Sequence, residues 1–594
     1  MAEALVRARL AFQEGTPYSE AYGDVYHSAA GGVAQAEHVF LGGNSLPGRW
    51  AGRERFVILE TGFGLGLNFL ATWRAWKRDP ARCARLHYVA IEKHPFALED
   101  LQVLHERLGF EEAAQLHSRW PVLVSGAHRL ELDGGKVVLT LFFADVAIAR
   151  DLRLQADAFY LDGFAPAKNP EMWTPQLLRS LSRLAAPGAT AATWSVASPV
   201  RSALEATGFA VEKRPGFGHK REMLVARNTR GSDQQKNRGR KAVVIGAGLA
   251  GAAVCERLCA RGWEVELYER HAEPAQEASG NHAGAFHPVV TPDDSVFARL
   301  TRAAFLYSIS QFRKLDVRWD PCGVLQLARD AKEENSQRSA LGLPPEYAQY
   351  VSREEASAHA GVAVSAPGLW FPQAGWIQPR SLVQALLDAC GNRLRTHFGK
   401  ELSSLPDATV ILANSAEAPE LHAVPHLRLR KVRGQATYVR AADIDAPHVV
   451  VLRGGMVLPP VDGLCVVGAS YDIDDEDAAP RAESDAGNIE RLMRILATTK
   501  PAPVGNRVAF RSVTPDRLPV AGEIAPGVYG AFAYGSRGLI WAALAAELIA
   551  SRLEGEPLPV EGKLADAMDP LRFSRRAGSR GSRPSRRAAR TAPA

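Results

Sequence analysis

Two short apolar runs, each broken by a glycine-rich turn, stand far apart in the chain. Residues 56–59, FVIL, lead through Glu60 into TGFGLGLN, and residues 242–245, AVVI, lead into GAGLAG. A continuous apolar run of this length, closed by glycines, predicts a buried strand and a tight turn. After the first turn come three more such runs, LHYVAIE, VVLTLFF and DAFYL, with Glu92, Asp145 and Asp162 at or just beyond their ends. The second turn is followed by the helix-like AAVCERLCARG and by a strand, WEVELYER, that carries Glu269. Near the C-terminus GVYGAFAYGSRG predicts a strand and glycine turn, and LIWAALAAELIAS a long apolar helix. Strands alternating with helices predict an α/β protein built on open, mostly parallel sheets.

One polar break divides this pattern. RNTRGSDQQKNRGRK, residues 227–241, is nearly free of apolar side chains and predicts an interdomain linker, its core at 231–240. Domains are expected at 1–230 and 241–565, since 594 residues are too many for one core. With so few apolar residues at the joint, the two halves are expected to fold separately and to act as tethered modules.

Composition changes the picture in three places. At 46% hydrophobic and 23% charged the chain reads as an ordinary globular protein, and no run of about 18 apolar residues predicts a membrane span. Six cysteines without paired spacing, and a start lacking an apolar signal core, lead to the expectation of a reducing cytoplasm with no disulfide framework and no metal site. The net charge of +6 is misleading, because eight arginines and no acid follow Leu571; setting them aside leaves a body near −2. Residues 571–594 therefore read as a disordered basic tail, and nucleic-acid binding has to be argued from the body.

In the second half, strand, glycine turn, helix and strand follow with dinucleotide spacing. Gly246 makes the tight turn, Gly248 lets backbone approach a pyrophosphate, Gly251 lets helix and strand pack, and Glu269 suits an adenosine ribose. The following ASGNHAGAF stretch, with Ser279 and Gly280, and the C-terminal Gly535, Ser536, Arg537 and Gly538 resemble the flavin amine oxidases of the D-amino-acid oxidase and glycine oxidase type. That resemblance implies bound FAD completed by the chain's return at its end. It also implies an inserted α+β substrate domain within about 310–465, with KVRGQATYV (431–439) as a crossing strand. Substrates of such enzymes carry a carboxylate, which calls for an arginine fork: Arg511 first, Arg453 second.

The first half has Gly62, Gly64 and Gly66 in alternation, a different spacing. It resembles the first motif of the S-adenosylmethionine methyltransferases. The resemblance implies a Rossmann-like domain in which Glu60, the three glycines, Asn68, Glu92 and Asp145 surround S-adenosyl-L-methionine, with Glu92 on the ribose and Asp145 on the adenine. Asp162, in LDGFAPAKNPEMW, is the candidate catalytic carboxylate, because methylating an amine places positive charge on nitrogen. Lys168 and Asn169 follow closely and could guide a phosphate or a base edge, and Lys220 and Arg221 are candidates for RNA contact.

The order FLGGNSLPGRW, ETGFGLGLNF, IEKHP, LDGFAPAKNPEMW and RPGFGHKREMLVA, followed by the flavin half, spans about residues 10–555. It resembles the bifunctional family that finishes 5-methylaminomethyl-2-thiouridine at the transfer-RNA wobble position. The resemblance implies a tRNA substrate. The flavin half then removes a carboxymethyl group and the other half methylates the freed amine. Two rivals stay open: a fusion acting on free small amines, and a scaffold that kept the fold without the chemistry.

Overall fold

The computed structural model describes residues 5–230, 239–339 and 342–575. Most of the predicted linker, 231–238, and residues 576–594 of the predicted tail lie outside the described residues.

Strands Ala156–Tyr160 and Val137–Phe143 are buried along their whole length. An uninterrupted apolar run produces this when both faces of a sheet are covered. They belong to an eight-stranded sheet whose order is Phe209–Pro215, Glu222–Asn228, Ala185–Thr193, Ala156–Tyr160, Arg55–Glu60, Arg85–Glu92, Val137–Phe143 and Gly126–Leu132. The middle five strands run parallel, so their loops gather at one edge of the sheet. A small N-terminal sheet, Ala11–Gln13, Thr16–Ser19 and Asp24–Val25, precedes it.

The second half holds a six-stranded sheet ordered Leu394–Phe398, Glu264–Glu269, Lys241–Ile245, Thr409–Leu412, Val528–Phe532 and Val520–Ala525. A nine-stranded sheet of mixed direction stands beside it. Its extent differs from the expected 310–465. Strands Leu394–Phe398 and Thr409–Leu412 fall inside that range but belong to the nucleotide sheet. Strand Gly505–Val513 falls outside it yet pairs with Arg430–Arg440 from Arg430 to Tyr438. The chain crosses between the two sheets several times, which no single cut in the sequence can represent.

The expectation of two halves joined without a shared core is overturned by the structure. One apolar cluster takes in Phe142 and Leu181 of the first half and Trp263, Leu300 and Leu544 of the second. Within this seam lies a buried cluster of charges. Arg129 Nη1 donates to Glu547 Oε1 at 2.6 Å and to Ser551 Oγ at 3.1 Å. Arg261 Nη2 donates to the same Glu547 oxygen at 2.8 Å and to Glu556 Oε2 at 2.7 Å. Arg257 binds Glu131 across the seam, and Lys314 Nζ reaches Glu131 Oε2 at 2.9 Å. Arg85 Nη1 and His87 Nε2 stand 3.6 and 3.5 Å from Glu556 Oε1. The partners come from positions as far apart as 129 and 547, so no local pattern announced them.

Burial alone would raise the Glu547 carboxyl, but Arg261, Arg129 and Arg257 outweigh it and hold the group at about 2. Burial lowers His87 to about 4. The tail also begins later than its composition implied. Arg572 donates to both oxygens of Asp516 at 3.0 and 3.1 Å, and Phe573 is buried.

Glu547→Ala is expected to leave three arginines without their shared partner and to cost about 3–5 kcal/mol of stability. Acid should act the same way. Unfolded His87 takes up a proton below about 6.5, whereas the folded group does so only near 4, so stability falls as pH drops through that window. Thermal unfolding at pH 7 and pH 5 checks both statements. An unchanged midpoint in Glu547→Ala would show that the cluster does not hold the halves together.

Candidate functional site

Two cavities lie at the loop-bearing edges of the two Rossmann-like sheets. The first, about 800 Å³, is lined by Gly62, Gly64, Asn68, Glu92, Asp145, Asp162 and Asn169. Gly64 and Gly66 have φ of +50° and +71°, and Gly66 ends the loop as the N-cap of helix Leu67–Arg78. The loop is held from behind. Gly64 N–H donates to Glu92 Oε2 at 2.7 Å, and His94 N–H to Glu92 Oε1 at 2.7 Å. His105 Nε2 meets the Leu65 carbonyl at 2.6 Å; a carbonyl only accepts, so this nitrogen carries the proton. His105 Nδ1 then accepts from His117 Nε2 at 2.8 Å, and burial keeps His105 neutral by lowering it to about 4. His105 drew no notice in the sequence, and no spacing marks it.

Asp162 sits at the centre of this cavity wall. Its Oδ2 accepts from Asn68 Nδ2 at 2.8 Å and its Oδ1 from Gly163 N–H at 2.8 Å. Asn68 Nδ2 also donates to Glu60 Oε1 at 2.7 Å, so one amide orients both carboxyls. Burial raises Asp162 to about 6, with Asn68, Gly163 and Trp194 pulling the other way. Glu60 is raised further, by burial and then by the Asp162 charge. Glu60 is fully buried and does not line the cavity, so its expected place against the cofactor is corrected to a support for Asn68. Asp145 caps the turn after its strand through Ala147 N–H at 2.9 Å and pairs with Lys93 at 3.0 Å.

The N-terminal sheet closes over the Asp162 loop. Ala165 N–H donates to Asp24 Oδ2 at 3.0 Å, and Tyr22 stacks on Phe164 at 4.7 Å. Lys168 takes part in this contact, at 3.3 Å from Asp24 and bonded to the Gly23 carbonyl, with its side chain partly exposed. Asn169 is buried at the cavity wall.

The second cavity, about 1150 Å³, is lined by Gly246, Gly248, Glu269, Ser279, Arg511 and the turn Gly535–Gly538. A Cβ on Gly251 would lie 1.8 Å from the Gly246 carbonyl oxygen, whereas one on Gly248 would meet only Ser279 Oγ at 3.0 Å. Gly251 is therefore a packing glycine and Gly248 faces the cavity. Glu269 Oε2 accepts from Ala247 N–H at 2.7 Å, and Ser279 Oγ accepts from Leu249 N–H at the helix start. Gly280 does not line the cavity: a Cβ there would meet the Ala275 carbonyl at 2.4 Å and the Arg507 guanidinium at 2.3 Å, so its role is packing.

Three buried polar atoms in this wall, Asn414 Oδ1, Tyr534 OH and Arg511 Nη1, have no protein partner. They, the glycine turn and Glu269 fit a dinucleotide with a polar substrate beside it. Burial lowers Arg511, and it lowers Arg537 to about 10, which leaves the Arg537 guanidinium a cation at neutral pH. Arg453 is corrected as a clamp. It lies outside the cavity, and its guanidinium is spent on the carbonyls of Ala328, Arg329 and Arg494. Among the described residues no cluster of side chains suits a metal ion, and no helix is long and apolar enough to cross a membrane.

A family model described as FAD dependent oxidoreductase matches residues 241–552. A second, described as S-adenosyl-L-methionine-dependent methyltransferase, matches residues 109–229. A protein of Azoarcus sp. named tRNA 5-methylaminomethyl-2-thiouridine biosynthesis bifunctional protein MnmC is 47% identical, over 95% of this chain and 97% of its own length. The protein of that name from Cupriavidus necator is 45% identical, over 95% and 97%. A glycine oxidase structure from Bacillus cereus aligns at 17% identity and a TM-score of 0.46, over 53% of this chain and 97% of its own.

The glycines of the second cavity separate packing from binding. Gly248→Val, with an ordinary φ of −85° and only a hydroxyl in its way, is expected to fold but to purify without flavin colour. Gly251→Ala should lose stability itself. Flavin absorbance and the thermal midpoint of each variant are the measurements, and stoichiometric flavin in Gly248→Val would contradict the assignment.

Proposed function

The chain belongs to the family of tRNA 5-methylaminomethyl-2-thiouridine biosynthesis bifunctional proteins, MnmC, and from that premise we propose how its two cavities divide the work. The protein is a bifunctional enzyme of tRNA wobble-uridine modification, an FAD-dependent oxidoreductase joined to an S-adenosylmethionine-dependent methyltransferase. We assign the removal of the carboxymethyl group to the cavity with the unpaired arginines, and methylation of the amine to the cavity with Asp162. The observation that carries this division is charge. The flavin-side cavity has Arg511, with a free Nη1, and Arg537, which meets His287, neither in an ion pair with a carboxylate among the described residues, whereas the other cavity has a carboxylate held by Asn68 and Gly163.

The substrate of the first step is an N-linked glycine unit: a carboxylate, a CH₂ and an amine. Arg511 suits the carboxylate, because a buried guanidinium with a free N–H gains a charge-assisted pair when an anion enters. When bound, the flavin supplies the acceptor for the hydride of the CH₂. Water then hydrolyses the imine so formed, releasing the two-carbon fragment as an aldehyde and leaving a primary amine, which no longer complements arginine but does complement a carboxylate. Gly248 and Glu269 would hold the dinucleotide, and Gly62, Gly64, Glu92 and Asp145 the methyl donor. An RNA substrate supports a cytoplasmic site of action, and binding of whole tRNA by this chain is part of the proposal.

At Asp162 the chain stabilises the charge that appears on nitrogen during transfer and orients its lone pair. A carboxyl raised to about 6 is ionised above that pH and protonated below it. An alkylamine with a pKa near 10 already makes the rate climb with pH. The slope of log rate against pH should therefore steepen by about one below pH 6. Asp162→Asn is expected to remove that steepening and to lower transfer by about two to three orders of magnitude. The test is to incubate purified protein with carboxymethylaminomethyl-bearing tRNA and follow all three nucleosides across pH. Accumulation of the aminomethyl nucleoside in Asp162→Asn supports the division. Methylation within a few-fold of normal removes Asp162 from the role.

A further inference from the structure

The strand order splits the first cavity into two sides. Arg85–Glu92 and Val137–Phe143, with the acids and the loop assigned to the methyl donor, lie on one side of Arg55–Glu60. Ala156–Tyr160, Ala185–Thr193 and the hairpin of Phe209–Pro215 with Glu222–Asn228 lie on the other. Asp162 stands at the boundary. On the far side Trp194 bonds to the Asp162 carboxylate and helps hold it down, and the same ring forms half of a distinctive pair. Trp194 directly follows strand Ala185–Thr193, lines the cavity and is partly exposed. Lys220, at the exposed hairpin tip, holds its Nζ 4.3 Å from the centroid of the Trp194 ring.

The tip is built rather than loose. Gly216 N–H donates to the Arg221 carbonyl at 3.0 Å, and Lys220 N–H to the Phe217 carbonyl at 3.1 Å. His38 Nε2 meets the Pro215 carbonyl at 2.9 Å and ties the hairpin to the neighbouring segment. Lys220 makes no ion pair with a carboxylate among the described residues. A lysine over an exposed aromatic face is held only weakly, so a phosphate can draw it away.

An unpaired base in a tRNA loop is recognised by an aromatic face for its ring and a cation for its backbone. An amine at Asp162 requires the base that bears it to lie on the side away from the methyl donor, and Trp194, which already meets Asp162, offers an aromatic face there. We propose that Trp194 is the platform on which the wobble uracil stacks during methyl transfer, and that Lys220 leaves this face to meet a phosphate of the same strand. The proposal rests on the reading that this half methylates an amine on tRNA.

The test uses the full-length protein, aminomethyl-bearing tRNA and S-adenosylmethionine. Trp194→Ala should raise the KM for tRNA about tenfold or more, while the Kd for S-adenosylmethionine and the rate of the flavin step stay within twofold. Trp194→Phe should recover most of the KM, since the ring is kept. Lys220→Ala should reduce the slope of log kcat/KM against log salt by about 0.7, with Lys220→Arg retaining it. An unchanged KM in Trp194→Ala, or an unchanged salt slope in Lys220→Ala, overturns the proposal. So does a matching loss of S-adenosylmethionine affinity, which would move Trp194 to the donor side. If the unaltered protein fails to methylate this tRNA at all, the underlying reading fails instead.

Discussion

The carboxylate of Glu547, buried and shared by Arg129, Arg261 and Arg257, is the constraint on which the arrangement of the molecule depends. Charges brought out of water are costly, and Glu547 is tolerable only while Arg257 and Arg261 of its own half and Arg129 of the other stay in place. The elements that meet there also build the cavities. Helix Leu249–Cys259 begins at the pyrophosphate-type turn and brings Arg257 to the seam. Helix Gly538–Glu554 begins at the Gly535–Gly538 turn and brings Glu547. Strand Arg85–Glu92 starts at the seam with Arg85 and His87 and ends at Glu92 in the other cavity. At 1.5 Å per residue the first helix spans about 16 Å, and at about 3.3 Å per residue the strand spans roughly 25 Å. Each cavity therefore sits at the far end of elements whose near ends are locked together.

This geometry fits a macromolecular substrate. A small intermediate could be passed through a channel between sites, but a base attached to tRNA has to be withdrawn from one cavity and presented to the other. What the two sites need is a fixed relation to each other and opposite preferences. The preferences come from charge. Half-buried Arg511 and Arg537, neither in an ion pair with a carboxylate among the described residues, favour the anionic starting group, and Asp162, kept in place by one amide of Asn68, favours the amine that replaces it. Removing a carboxylate inverts the complementarity, so the product of one site leaves as the substrate of the other.

The cavities were legible in the sequence because their chemistry is local. Alternating glycines, an acid at each strand end and the spacing from Gly246 to Glu269 are fixed by short-range geometry, and the structure places Gly62, Gly64, Glu92, Asp145 and Asp162 around one opening and Gly246, Gly248 and Glu269 around the other, with Gly66 turned inward against Phe63. What failed was long-range or depended on depth. Nothing in a polar linker tells that Arg129 and Glu547 will meet, so the sequence alone reads as two tethered modules. Glu60 ends its strand as a cofactor ligand would, yet lies beneath the loop, and Gly280 proved to be packing. Arg453 and Arg511 are equivalent as letters; only the fold shows one spent on carbonyls and the other with a free nitrogen. The basic tail was set by composition from Leu571 on, and composition does not see that Arg572 finds Asp516.

If the buried cluster makes one unit of the two halves, they should unfold together. Calorimetry of the holoprotein with flavin fluorescence recorded in the same scan tests this most directly, with and without S-adenosylmethionine. A ligand confined to the first half raises the unfolding temperature of whatever unfolds with it. The account predicts a single transition, with flavin release from the second half moving upward when S-adenosylmethionine is added to the first. Two separate transitions, with flavin release indifferent to S-adenosylmethionine, would contradict it.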